Sequence, residues 1–120
     1  MEAYIYTYVN KESKKTYIGS RHSYKGKAED DFNIKYFSSS ENPEFNFDMA
    51  NNKLEGQIIL KINCDNAKKR IVKLEHQIIW AYWNKYGEKK SYNLYCNGYY
   101  NINGKRVRIG RKYIKTKPLF

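Results

Sequence analysis

The residues that decide the fold are 4–20, which read YIYTYVNKESKKTYIGS. Residues 4–9 and 16–20 are rich in β-branched and aromatic side chains, whereas the residues between them are polar. Two short apolar runs joined by a polar turn are typical of an antiparallel β-hairpin. The hairpin sets the two runs side by side on neighbouring strands, and the rest of the fold is predicted around it.

The segment after the hairpin predicts two further helices and a third strand. A short helix near Ala28 is expected in the polar loop of residues 23–31, and a second helix can begin at Pro43, because proline is tolerated in a first turn. Residues 57–62, which read QIILKI, have the best strand pattern in the chain.

The longest periodic segment predicts a helix over residues 66–86. Asp65 is the expected N-terminal cap, and Gly87 is expected to end the helix. One stripe of this helix is apolar and consists of Ile71, Leu74, Ile78 and Tyr82. Glu75 lies inside the stripe, where a carboxylate is costly unless it is paired or bound to a metal. Periodicity leaves both readings of Glu75 open: a boundary residue paired with a lysine, or a metal ligand.

These elements predict one α/β (α+β) domain over residues 1–95, with a small, mainly antiparallel three-stranded sheet flanked by helices. Residues 96–120 are predicted to be a basic C-terminal extension that contains a hairpin. The pair Asn103-Gly104 lies between alternating residues there, which is a strong hairpin signal. From Lys89 onward the chain has no acidic residue, so the extension concentrates positive charge.

The charge of the whole chain is strongly positive. Its 120 residues include 23 lysines and arginines and 12 acidic residues, which gives a formal net charge of +11. A field of this sign attracts polyanions and speeds their encounter, and it favours a nucleic-acid partner. A solubility device or a ribosome-like composition stays open as the alternative. A membrane surface is not an expected partner, because we find no basic amphipathic helix with a clean apolar face.

Cysteine usage and hydropathy predict a cytoplasmic protein. Cys64 and Cys96 form no CxxC pair, and the two histidines lie at no zinc-finger spacing, so both cysteines are predicted to be free thiols. The first residues lack the pattern of a signal peptide. No apolar run approaches the ~20 residues needed to cross a membrane. The many Lys, Asn and Tyr residues indicate an AT-rich genome, so a phage-encoded protein acting in the host cytoplasm is our hypothesis.

Two tripeptides of the hairpin resemble those that give the GIY-YIG nucleases their name. Tyr17-Ile18-Gly19 matches the second tripeptide in full, and Tyr4-Ile5-Tyr6 matches the first except that Tyr4 replaces its glycine. The resemblance implies that Tyr6 and Tyr17 are catalytic. We favour Tyr6 as the base that activates water and Tyr17 as the group that holds water or phosphate, although the sequence leaves this division open.

The resemblance extends to a metal ligand and a supporting asparagine. Members of the family hold a divalent cation on a glutamate of the helix after the third strand, and Glu75 occupies that place. The resemblance therefore implies Mg²⁺ or Mn²⁺ bound by Glu75. Many members also carry a Tyr-Asn pair after this helix. Tyr92-Asn93 matches it, and Asn93 is the expected support of the active site.

An arginine that holds the scissile phosphate is also implied. Arg21 follows Tyr17-Ile18-Gly19-Ser20 as in a subset of the family that resembles phage homing enzymes. Charge-assisted, often bidentate hydrogen bonds suit arginine to this role. His22 and Lys27 are candidate helpers, and Lys27 stands at the position where many members have their arginine. From the residues alone, a solvated charge at the strand end stays the alternative for Arg21.

The cations of the extension are candidate contacts to the DNA backbone. They are Lys105, Arg106, Arg108, Arg111, Lys112, Lys115 and Lys117. Phosphate contacts of this kind give affinity that falls steeply with salt and carry little sequence information. A solvated cationic edge that guards against strand pairing is the alternative.

We therefore expect a metal-dependent DNA endonuclease of the GIY-YIG type, a phosphodiester hydrolase with a homing or DNA-degrading role. A non-catalytic nucleic-acid-binding module on the same scaffold and a ribonuclease are the alternatives. The sequence leaves open whether the protein is a monomer or a homodimer.

Overall fold

The structure, a computed structural model, describes residues 2–22, 26–94 and 96 and the backbone of residues 95, 99–102, 105–108 and 112–113. Three long strands and three helices make up most of the fully described residues. They are, in order, β1 Ala3–Asn10, β2 Thr16–Arg21, α1 Ala28–Asp31, α2 Pro43–Ala50, β3 Leu54–Ile62 and α3 Ala67–Tyr86. The strands β4 Tyr95–Cys96, β5 Tyr99–Ile102, β6 Lys105–Arg108 and β7 Lys112–Tyr113 follow a short 3₁₀ turn at Glu88–Lys90.

The predicted antiparallel sheet is confirmed. Its strand order is β2-β1-β3, and β1 pairs antiparallel with both neighbours. In the hairpin, Tyr6 lies opposite Gly19. The register of β3 shifts between Ile5 and Tyr6, which marks a β-bulge. Because β1 is central, β2 and β3 form the two edges of this sheet.

Alternation along β1 separates the side chains into two layers. Tyr4, Tyr6 and Tyr8 point to one side, which we call the aromatic face, and pack there with Phe32 and Phe45. The opposite side, which we call the helix face, carries the other half of the strand residues against α3. Its core residues include Ile5, Ile18, Ile71, Ile79 and Trp83.

Gly19 is required by the close approach of two tyrosine rings on the aromatic face. A Cβ atom at Gly19 would overlap the Cζ and Oη atoms of Tyr6 and would lie 2.9 Å from Cε1 of Tyr17. Real Cβ atoms almost never come this close to another heavy atom. The glycine that ends the second tripeptide therefore makes room for the tyrosine that ends the first.

Helix α3 ends as predicted but begins differently. Gly87 ends it with a φ of 87°, a region that favours glycine. Asp65 as the cap was wrong: Asn66 holds the cap position, and its side chain makes no capping hydrogen bond. The backbone supplies the first-turn bonds instead, since the N–H of Ala67 donates to the carbonyl of Cys64 over 3.1 Å.

The buried stripe of α3 follows an i, i+4 row. Its fully buried members are Ala67, Ile71, Ile79 and Trp83, whereas the predicted Leu74, Ile78 and Tyr82 are half-buried. Glu75 occupies the middle of that row, so its expected place among core-facing residues is confirmed.

The C-terminal strands form two small ladders. β5 pairs antiparallel with β6, as the hairpin prediction requires, while residues 103 and 104 lie outside the described residues. β4 pairs antiparallel with β7, a pairing that the sequence did not predict. Cys64 and Cys96 are free, as expected.

We searched the described helices for a candidate membrane span and found none that is both long and apolar enough.

Candidate functional site

A cleft of about 450 Å³ lies along the open edge of β2. We call it the edge cleft. One wall is α3, another is the segment of residues 39–41, and the segment after α3 closes one side. The polar residues along it are Tyr17, Ser20, His22, Ser39, Ser40, Glu41, Glu75, His76 and Asn93. The structure therefore brings together four of the predicted site residues, Tyr17, His22, Glu75 and Asn93.

Glu75 presents a carboxylate to the edge cleft. The hydroxyl of Ser20 donates a hydrogen bond to its Oε2 atom over 2.7 Å. Burial raises the pKa of Glu75, and the bond from Ser20 opposes that rise only in part. Within the described residues Glu75 makes no ion pair, so the reading of a boundary residue paired with a lysine lacks a partner there. A partly buried carboxylate without a cation is unusual enough to indicate a ligand.

Asn93 completes the edge of β2. Its Oδ1 atom accepts a hydrogen bond from the backbone N–H of Ile18 over 2.9 Å, and its Nδ2 atom donates to the carbonyl of Ile18 over 2.8 Å. Just before it, the N–H of Tyr92 donates to the carbonyl of Thr16 over 2.8 Å. The segment after α3 thus acts as a short further strand, and Asn93 supports the site by fixing the position of β2.

The backbone N–H of Ser20 is directed away from β1, toward the outer edge of β2. The polar backbone groups of Thr16 and Ile18 face the outer edge of β2, because they bond to Tyr92 and Asn93. In an antiparallel strand every second residue repeats this direction, so the N–H of Ser20 also faces outward. Since Ser20 lines the edge cleft, its amide can donate a hydrogen bond to a ligand there.

Tyr6 is on the aromatic face and does not line the edge cleft. It is fully buried, and its hydroxyl has no hydrogen bond of acceptable geometry within the described part of the chain. Burial raises its pKa far above the ordinary range, and the nearby hydroxyls of Tyr17 and Tyr36 add to that rise. A buried phenol of this kind is a poor base. Tyr17 is also largely buried, with 8% exposure, but it lines the cleft. Access to the cleft therefore favours Tyr17 over Tyr6 as the group next to the attacking water.

Arg21 does not line the edge cleft either. Its side chain lies on the aromatic face, where Nε donates to Oδ2 of Asp31 over 3.2 Å. Its guanidinium lies 4.3 Å from the centre of the Tyr36 ring. Lys27 is exposed at the cap position of α1 and is likewise absent from the cleft. Our expectation that Arg21 and Lys27 act at the same place as Glu75 is thus not met in this structure.

Two histidines line the edge cleft, and only His22 was predicted. Burial lowers the pKa of His22, and the cations Lys68 and Arg21 lower it further. Burial also lowers the pKa of His76. Both imidazoles are therefore biased toward the neutral form. His76 could have been found from the sequence, because Val72, His76 and Ile79 share one side of α3 with Glu75.

The donor set suits a weakly held divalent cation. Within the described residues no cluster of three or more His, Cys, Asp or Glu side chains could hold a metal ion. A dedicated protein cage, such as structural zinc requires, is therefore not seen in that part of the chain. Mg²⁺ keeps several of its waters and is often bound by one or two carboxylates plus substrate phosphates. Glu75, fixed by Ser20 and lacking a cation, fits that mode.

The structure describes only some of the residues of the C-terminal extension that are predicted to contact DNA. Lys105, Arg106, Arg108 and Lys112 lie on β6 and β7, of which the structure describes the backbone. Arg111, Lys115 and Lys117 lie outside the described residues. The role of all seven in binding DNA stays a prediction.

Comparison with known proteins found no matching family model, no matching curated protein and no matching solved structure. The resemblance to GIY-YIG nucleases therefore rests on the residues of the two tripeptides, Arg21, Glu75 and Asn93.

Proposed function

We propose that this protein is a metal-dependent endonuclease that hydrolyses phosphodiester bonds of DNA in the edge cleft. The observation that carries the proposal is the carboxylate of Glu75, which is partly buried, is oriented by Ser20 and has no cationic partner within the described residues. Tyr17 lines the same cleft. The strongly basic chain and the resemblance to GIY-YIG nucleases support DNA as the substrate.

Hydrolysis needs an attacking water, stabilisation of charge on the phosphate and an exit for the leaving oxygen. A divalent cation held by Glu75 would supply Lewis-acid polarisation of a phosphate oxygen. The protein then has three tasks: to hold the carboxylate, to orient the water and to stabilise negative charge. The side chain of Ser20 performs the first task by donating its 2.7 Å hydrogen bond to Glu75.

Tyr17 takes the second task. In its phenolate form, which a nearby cation favours, it would orient the attacking water and accept its proton as the new bond to phosphorus forms and one ester bond breaks. Solvent water would protonate the leaving oxygen. The backbone N–H of Ser20 takes the third task, because a fixed amide donor facing the cleft stabilises developing negative charge without reorganisation. Asn93 holds both residues in place through its two bonds to Ile18.

A non-catalytic nucleic-acid-binding module is the second candidate. The observation that favours it is the burial of Tyr6, since one of the two tyrosines implied to be catalytic has no access to the edge cleft. Such a module would keep the basic charge of the chain and bind DNA without turnover.

Incubation of the purified protein with supercoiled plasmid tests the proposal. Mg²⁺ and Mn²⁺ are each compared with EDTA, and single-stranded RNA is tested in parallel to identify a ribonuclease. We expect nicked or linear plasmid with either metal and intact plasmid in EDTA. Intact plasmids of several sequences in both metals, with salt-sensitive DNA binding retained, would contradict the endonuclease and favour the binding module. Cleavage of RNA alone would establish the ribonuclease instead.

A further inference from the structure

We propose that Arg21 forms a second phosphate-binding site, distinct from the edge cleft, which takes a backbone phosphate next to the scissile one. The inference rests on the proposed function in that both sites are assigned to one bound nucleic acid. It assigns to Asp31 and Tyr36 the task of positioning Arg21.

Arg21 and Glu75 act on opposite faces of the sheet. Arg21 lies opposite Tyr4 in the hairpin register, and facing residues of an antiparallel pair share one face. That is the aromatic face, whereas Ser20 points to the helix face and bonds Glu75. Arg21 and Ser20 are nevertheless neighbours at the end of the same edge strand, β2. A nucleic-acid strand that crosses this edge can therefore place one phosphate at Glu75 and another at Arg21.

The guanidinium of Arg21 is held from two sides. Its Nε donates to Oδ2 of Asp31, and its central carbon, Cζ, lies 4.3 Å from the centre of the Tyr36 ring. The Arg21 side chain is 31% exposed to solvent, whereas the Asp31 side chain is 1% exposed. Within the described residues the guanidinium makes no other hydrogen bond, so its two terminal Nη groups are the donors for a ligand. They form the planar fork that binds phosphate oxygens bidentately.

Asp31 is held in place by several hydrogen bonds. Its Oδ2 atom also accepts a 2.7 Å hydrogen bond from the hydroxyl of Tyr4, so two elements fix the carboxylate. Its backbone carbonyl accepts from the N–H of Tyr36 over 3.0 Å, which ties the aromatic partner to the same residue. Burying a charged side chain lowers the stability of the fold unless an opposite charge pairs with it. Here the charge of Asp31 orients a cation whose side chain is still 31% exposed, which is a binding arrangement more than a core contact.

Four variants test the site. Arg21→Ala removes the cation, and Arg21→Lys keeps the charge but loses the fork. Asp31→Asn removes the charge that holds Nε while the amide oxygen can still accept from Tyr4. Asp48→Asn is the matched control, because Asp48 is also buried and accepts a 2.6 Å hydrogen bond from a tyrosine hydroxyl, that of Tyr92, but pairs with no cation in the described residues.

Two quantities are measured for each variant: the dissociation constant for a short DNA duplex in EDTA over a range of salt, and the cleavage rate with Mg²⁺ at saturating DNA. We expect Arg21→Ala to weaken binding about tenfold, as the loss of one charge-assisted contact does. The slope of log affinity against log salt should shrink by about 0.9, the value for one phosphate. The saturated rate should change less than about threefold. Arg21→Lys should weaken binding less, Asp31→Asn should weaken it severalfold, and Asp48→Asn should bind like the wild type.

The outcomes separate this site from the nuclease proposal. A saturated rate that falls a hundredfold or more in Arg21→Ala, with unchanged binding, would overturn the second site and return Arg21 to the scissile phosphate. Binding and salt slope unchanged in Arg21→Ala would also overturn it. A wild-type protein that never cleaves DNA but shows the Arg21-dependent salt slope would refute the nuclease and support this site. If Asp31→Asn fails to fold, the two substitutions of the partly exposed Arg21 still decide whether Arg21 binds a second phosphate.

Discussion

Replacing Tyr6 by phenylalanine removes one buried hydroxyl and leaves the packing of the ring in place. That hydroxyl has no hydrogen bond of acceptable geometry in the described residues, and an unsatisfied buried polar group costs about 1–3 kcal/mol. Because Tyr17 and Tyr36 lie near enough to relieve part of this cost, we expect a gain of about 1 kcal/mol in the free energy of unfolding. For a domain of this size that raises the Tm by about 4 °C.

The same substitution separates the two tyrosines in catalysis. If Tyr17 is the group next to the attacking water, Tyr6→Phe should cleave plasmid within about threefold of the wild-type rate. Tyr17→Phe should lose about a hundredfold or more, as removal of a general base does. Thermal unfolding followed by circular dichroism, together with plasmid cleavage in Mg²⁺, measures both effects on the same preparations.

Two results would refute this reasoning. A Tyr6→Phe protein that is folded and as stable as the wild type but inactive would make Tyr6 catalytic despite its burial. A Tm lowered by several degrees would mean that the hydroxyl of Tyr6 is well bonded. Either result would require Tyr6 to reach water or a polar partner that its 0% exposure does not reveal.

Three further predictions concern the frame of the edge cleft. Asn93→Ala should lower the free energy of unfolding by about 2–3 kcal/mol, because two buried backbone groups of Ile18 lose their partners; a change below about 0.5 kcal/mol in urea unfolding would contradict this. Gly19→Ala should cost about 1–3 kcal/mol through overlap with Tyr6, and an unchanged urea midpoint would show that the ring moves freely. Glu75→Gln in EDTA should raise the Tm at pH 8 but not at pH 3, because burial raises the pKa of Glu75. A raised pKa means that ionisation of the wild-type carboxylate begins to oppose folding above the unfolded-state pKa and opposes it fully above the folded-state pKa, so an equal Tm difference at both pH values would count against the reasoning.

The sheet and the helix that carry the site could be predicted from the sequence. Alternation in residues 4–9 and 16–20 indicates the hairpin, and the periodicity of α3 puts Glu75 among core-facing residues. These patterns are local, since each depends on residues close in the chain. The cap of α3 was missed because a backbone bond to Cys64 replaced the side-chain cap expected of Asp65.

The grouping of the site residues could not be predicted in full. A linear motif gives the order of Tyr6, Tyr17 and Arg21 but not the face of the sheet that each occupies relative to α3. The structure puts all three on the aromatic face, whereas strand alternation sends Ser20 to Glu75 on the helix face. Arg21 is thereby separated from Glu75 and bonds Asp31 instead. That partner lies ten residues further along the chain, at the end of α1, whose four residues are too few to give a periodic signal.

The most direct test of the central claim is plasmid cleavage in Mg²⁺ by Glu75→Gln beside Glu55→Gln. Glu55 is exposed on β3, the other edge of the sheet, so its substitution changes the net charge equally without touching the edge cleft. We predict that Glu75→Gln loses on the order of a thousandfold in cleavage rate while it stays folded and binds DNA, since several kcal/mol of stabilisation depend on the cation. Glu55→Gln should cut like the wild type. Cleavage retained by folded Glu75→Gln would contradict the claim that Glu75 holds the metal of a nuclease.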